Sequence, residues 1–108
     1  MSTTNVAKVL KEYYIIQGNV LEVSIMKCTH TDQIREVKPS AQGCEECLKS
    51  GDSWVKLRIC LTCGHVGCCD SSKHRHATKH FHETHHPIIQ SFEKGEDWRW
   101  CYVDEIYL

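Results

Sequence analysis

The stretch from Cys60 to His86 narrows what this chain can fold into more than any other. It holds four of the eight cysteines and seven of the eight histidines. Thiolate and imidazole are the side chains zinc prefers, and they recur here at spacings that let two of them reach one ion. Cys60 and Cys63 form a Cys-x-x-Cys pair, and His76 and His80 stand four apart, on one face of any helix that carries both. Eight cysteines would also allow disulfides, but the accompanying histidines favour metal. A chain of 108 residues has a modest core and needs a staple of one kind or the other.

The remaining segments fall into place around that stretch. Val6, Val9, Leu10 and Tyr13 lie at helical spacing and predict a helix over residues 1–17, capped by Thr3 or Thr4 and closed at Gly18. Val20 to Met26 alternates and predicts a strand. Cys28 and His30 follow, then a polar connection with Pro39 and Gly43 that leads to Cys44 and Cys47. Trp54 to Ile59 reads as a strand with Trp54, Lys56 and Arg58 on one face, delivering the chain into Cys60, Cys63 and a turn at Gly64. Ser71 or Ser72 caps a helix from about Arg75 to Thr84, which Pro87 closes. Ile88 to Phe92 and Trp98 to Val103 are further strands. In the second, Trp98, Trp100 and Tyr102 share one face, Arg99, Cys101 and Val103 the other.

Counting ligands then limits the number of sites. Two Cys-x-x-Cys pairs, Cys44/Cys47 and Cys60/Cys63, each need two more ligands, and Cys68, His76, His80 and His86 supply four. Cys28 and His30 need partners too. Cys101 and Asp104 stand at the same pair spacing, and aspartate is an acceptable, harder ligand. The count closes on three four-coordinate zinc sites, with two as the minimum.

These motifs together (Cys-x-His, Cys-x-x-Cys, Cys-Leu-x-Cys-Gly-x-Val-x-Cys, His-Ala-x-x-His, His-Pro and Trp-Cys-Tyr) resemble the ubiquitin-hydrolase-type zinc finger, ZnF-UBP. The ending Asp97 to Glu105 is most similar to small stand-alone bacterial members. The resemblance covers residues 28–108 and leaves residues 1–27 as an N-terminal extension of helix plus strand. It implies an α+β fold: a small twisted antiparallel sheet packed with one or two helices and held by up to three structural zinc sites. It also implies interleaved ligands. Cys28, His30, Cys101 and Asp104 form one set, Cys44, Cys47, Cys68 and His76 a second, and Cys60, Cys63, His80 and His86 a third. Asp104 stands where three-zinc members have cysteine.

Filled four-coordinate sites are structural, and no nucleophile–base pair stands apart from the ligands, so no enzyme activity is expected. The resemblance implies a binding module whose aromatic pocket takes the free Gly-Gly end of ubiquitin. Trp54, Trp100, Tyr102 and Tyr107 match the aromatic positions, whereas Trp98 reads as sheet packing. Asp70 departs from the pattern, because ubiquitin-binding members carry there an arginine that can pair with the terminal carboxylate. The alternative is a zinc-stabilised structural or interaction domain without such binding. A net charge of -1 argues against nucleic acid as partner. No secretory leader is visible, no apolar run approaches the roughly 20 residues of a membrane span, and the thiols suit the cytoplasm.

Overall fold

A computed structural model of the chain describes residues 8–108. It opens with an antiparallel hairpin, β1 (Lys8–Ile16) and β2 (Asn19–Lys27), which forms a two-stranded sheet of its own. The helix expected over residues 1–17 is therefore corrected to strand from Lys8 onward, and residues 1–7 lie outside the described part. Two local forces override the helical spacing. Gln17 and Gly18 both take positive φ, 50° and 78°, the type I′ geometry that matches the twist of paired strands. The flanking Tyr13–Ile16 and Val20–Leu21 are aromatic and aliphatic residues that suit a pleated surface. Gly18, read as a helix end, is the second residue of that turn.

From Cys28 the chain builds the expected α+β unit. A single 3-10 turn at Thr31–Gln33 precedes the short helix α1 (Glu45–Ser50). Strands β3 (Leu57–Cys60), β4 (Val66–Cys68), β5 (Ile88–Ser91), β6 (Arg99–Cys101) and β7 (Ile106–Tyr107) follow, with helix α2 (His76–Thr84) between β4 and β5. All sheet neighbours are antiparallel, in the order β4-β3-β5-β6-β7. The strand expected from Trp54 starts only at Leu57. At its start the backbone donors go to side chains instead of a neighbouring strand: the Val55 N–H donates to Ser72 Oγ and the Leu57 N–H to the Glu93 carboxylate. Beyond Cys101 the chain turns through Glu105, at φ 55°, and returns as β7.

Helix α2 starts without the serine cap that the sequence suggested. Ser72 is occupied with Val55, and Arg75 enters the helix at φ 49°. The first helical N–H, that of His76, instead points at Cys68 Sγ at 3.2 Å. A sulfur replaces the capping oxygen and takes one of the N–H groups a helix start leaves unpaired.

The core explains why the fold needs a staple. Leu57, Ile59, Leu61, Val66 and Ile88 are its aliphatic part, yet Cys44, Cys47, Cys68 and Cys101 are fully buried among them. Each aliphatic side chain contributes roughly 1.5–3 kcal/mol by leaving water. Thiols placed where further aliphatics would go must gain their stabilisation from what they bind.

Candidate metal centres and groove

Three clusters of ligand atoms emerge from this scaffold, each with its atoms within 4.8 Å of one another. The structure groups Cys44, Cys47, Cys68 and His76; Cys60, Cys63, His80 and His86; and Cys28, His30, Cys101 and Asp104. In the first, Cys44 caps α1, Cys47 lies one turn on, Cys68 ends β4, and His76 begins α2. His76 Nδ1 stands 3.3, 3.4 and 3.5 Å from the three sulfurs. In the second, His80 reaches Cys63 at 3.3 Å and His86 reaches Cys60 at 3.5 Å. His76 and His80 share one helix but serve different clusters. His86 enters the second because α2 ends at His85 in left-handed conformation, φ 62°, which turns the chain back.

The geometry fits zinc. A tetrahedral ion with Zn–S of about 2.3 Å and Zn–N of about 2.1 Å demands S···N edges of about 3.6 Å. The observed separations run from 3.3 to 3.6 Å. The knuckle between Cys60 and Cys63 is fixed by Gly64 at φ 85°, where a Cβ would lie 2.1 Å from the Lys38 carbonyl oxygen. Glycine is required there both for its φ and for that close approach. The donors' protonation fits as well. Burial raises the Cys47 thiol to about 12 and the Cys28 thiol to about 11. Burial also lowers His80 to about 4, helped by nearby His65 and His86, so its imidazole is neutral at physiological pH. Those two thiols stay protonated at physiological pH until a cation displaces the proton. Metal uptake is therefore expected to release protons and to weaken as pH falls, which competition with a chromophoric chelator at mildly acidic and mildly alkaline pH would measure.

The third cluster differs in character. Cys101 Sγ lies 3.6 Å from His30 Nδ1, but Asp104 Oδ2 already accepts from the Thr29 N–H at 2.8 Å and faces His30 Nδ1 at 2.9 Å. The other carboxylate oxygen, Oδ1, is buried without a hydrogen-bond partner. An orphaned oxygen beside two thiols and an imidazole is what a cation would satisfy. A fourth grouping, Glu45, Glu46 and His65, acts as support. His65 Nε2 meets Glu46 at 2.8 Å, and its ring stacks on His80 at 4.0 Å, fixing a ligand's orientation from behind. His65 belongs to none of the ligand sets that the resemblance implies. It is buried.

A groove of about 420 Å³ opens beside the sheet. Trp98, Trp100, Tyr102, Tyr107, Arg58 and Asp70 are among the residues that line it. Trp100 and Trp98 both meet Tyr107 edge-on, at 4.8 and 5.7 Å, and Tyr102 stacks on Phe81 at 4.6 Å. Burial pushes the Tyr102 hydroxyl up to about 12, so it stays protonated. The Thr78 hydroxyl donates to Asp70 Oδ1 at 2.6 Å, which leaves its oxygen to accept from Tyr102 at 3.3 Å. Arg58 lies with its guanidinium 4.4 Å over the Trp98 ring and donates to the Leu57 carbonyl at 2.9 Å.

Two expectations change here. Trp54, matched to the aromatic positions, is not part of the groove; its ring covers Gly43 and packs on the core. Trp98, read as sheet packing, lines the groove together with Trp100 and Tyr102, as their shared strand face allows. Arg58 was overlooked, although its place between buried Leu57 and Ile59 put it on the opposite sheet face.

Residues 44–108 match the family model described as a zinc finger in ubiquitin-hydrolases and other proteins. The chain belongs to the UBP-type zinc-finger family. A solution NMR structure of a protein from Rhodopseudomonas palustris is 63% identical, with a TM-score of 0.71, over 78% of this chain and 82% of that one. Ubiquitin carboxyl-terminal hydrolase 44 of Ailuropoda melanoleuca is 32% identical over 76% of this chain and 11% of its own length. The NAD-dependent deacetylase sir2A of Dictyostelium discoideum is 39% identical over 60% of this chain, likewise 11% of its length. This UBP-type finger thus spans about a tenth of those two relatives. Its clusters are compatible with about three zinc ions. Among the described residues no helix is long and apolar enough to cross a membrane, and all eight cysteines are free of disulfides.

Proposed function

We propose that this UBP-type finger is a protein-interaction module, not an enzyme, whose three clusters each hold one structural zinc ion and whose groove takes the free C-terminal tail of a partner protein. The observation that carries this reading is a single cleft that combines aromatic walls with a guanidinium. Flat rings suit a tail of glycines or other small residues, because such a backbone can lie between them without side-chain clash. The hydrolase and deacetylase chemistry in the relatives' names belongs to proteins of which the matched segment is only 11%, and it is not carried over.

The tail's carboxylate needs a cation. Asp70, held by Thr78, repels an anion, so the arginine-at-70 arrangement implied by the resemblance does not operate here. Arg58 takes that role: it lines the same groove, and among the described residues its hydrogen bonds, to the Leu57 carbonyl and Ser91 Oγ, come from Nη1 alone, which leaves the other donors of the fork for a carboxylate. Titration of the zinc-loaded protein by calorimetry with peptides ending in Gly-Gly, as free acid and as amide, tests the reading. The free acid is expected to bind about tenfold tighter or better. Equal affinity, or none, leaves the alternative of a zinc-stabilised domain that recognises its partner elsewhere.

A further inference from the structure

Among the described residues the hairpin β1–β2 has no sheet neighbour, and several of its apolar side chains are exposed. Ile15 is 80% exposed, Val20 71% and Tyr13 64%. A lone two-stranded hairpin is marginal in water, and a long apolar edge is a template for another strand. β2 carries few of the devices that blunt such an edge. It runs nine residues from Asn19 to Lys27 with no proline and one internal charge, Glu22.

We propose that two copies of this chain pair through their β2 edges, antiparallel, into a four-stranded sheet centred on Val23. Symmetry selects the register. A closed two-fold pairing of antiparallel edges keeps the same face up in both copies, so residues opposite one another must share parity along the strand. Centring on Val23 uses all nine residues. Leu21 then faces Ile25 of the second copy, Val20 faces Met26, and Glu22 faces Ser24.

Existing pairings in the hairpin extend these matches across the sheet. Tyr14 already opposes Leu21, and Leu10 opposes Ile25. The strand registers therefore align positions 14 and 21 with positions 25 and 10 of the second copy. In the same way, positions 15 and 20 align with positions 26 and 9 of the second copy. Glu22, the one internal charge, is neutralised within its own hairpin by Lys11 at 3.0 Å. The β1 edge lacks this fit. Centring it on Lys11 or Glu12 opposes like charges, which destabilises a strand pair. Centring it on Tyr13 leaves Lys11 opposite Ile15 and pairs only residues 10–16.

The experiment is sedimentation equilibrium of the full zinc-loaded chain, wild type and Val23→Lys. The substitution sets two ammonium groups against each other across the two-fold axis, whereas within its own hairpin the new ammonium meets Glu12. Wild type is expected to be dimeric, and Val23→Lys is expected to weaken association by roughly a hundredfold, from like charges forced together at the interface centre. Isotope-filtered NOEs in a mixed labelled sample should connect Val23 to Val23 and Leu21 to Ile25 between copies. A wild-type monomer at NMR concentrations, an open-ended assembly, or a dimer that Val23→Lys leaves intact would each overturn the proposal.

Discussion

Stripping zinc from this protein with a strong chelator at neutral pH is expected to unfold residues 28–108. Structural zinc contributes on the order of 10 kcal/mol per site in small peptides, whereas whole domains are stable by about 5–15 kcal/mol. Loss of even one site therefore rivals the total. Cys63→Ser removes one sulfur from the Cys60, Cys63, His80 and His86 cluster and should abolish cooperative melting. Cys69→Ser is the matched control. That thiol is buried, with its sulfur beside Ser72 Oγ, but belongs to none of the clusters, so its loss should leave the metal count unchanged. Circular dichroism melts and native mass spectrometry read both outcomes. A chelated protein with an unaltered melt, or a wild-type count below two zinc ions, would contradict the metal-built core.

The second large effect concerns the groove. Arg58→Ala is expected to cost about 1.5–3 kcal/mol of affinity for a Gly-Gly free acid, the range for a hydrogen bond to a charged group. It should also erase the preference for free acid over amide. Asp70→Arg should act in the opposite direction by replacing a repelling carboxylate with a fork of donors at the groove wall. The two substitutions together separate a carboxylate anchor from general loss of packing, because Arg58 also lies over Trp98 and its removal disturbs that ring. A lysine at position 58 keeps charge without the planar fork and should restore part of the binding. If Arg58→Ala binds both peptides as wild type does, the anchor lies elsewhere.

The metal-built character of the chain was legible from the start, because a zinc site is written in residue type and short spacing. Cys-x-x-Cys pairs and His76/His80 announce themselves locally, and the ligand count sets an upper limit without any fold. Which cysteine meets which histidine is another matter. His76 and His80 stand on adjacent turns of one helix yet serve separate clusters, and spacing alone gives no reason to divide them; the family resemblance supplied that division. The hairpin was misread because Val9, Leu10 and Tyr13 satisfy a helical period, while the decisive information sat in the Gln17-Gly18 turn and the partner strand.

The groove was legible only in fragments. Alternation put Trp98, Trp100 and Tyr102 on one face, but nothing in the chain order brought Arg58 and Asp70 to them. That meeting depends on β3 and β6 flanking β5, and on the connection after β4 curling back over the sheet. Sequence by itself determined which atoms can bind metal, since ligand chemistry belongs to single residues. The resemblance implied which of them share an ion, but only the tertiary structure decided which charges meet the aromatic side chains in one groove, because that depends on contacts between residues far apart in the chain.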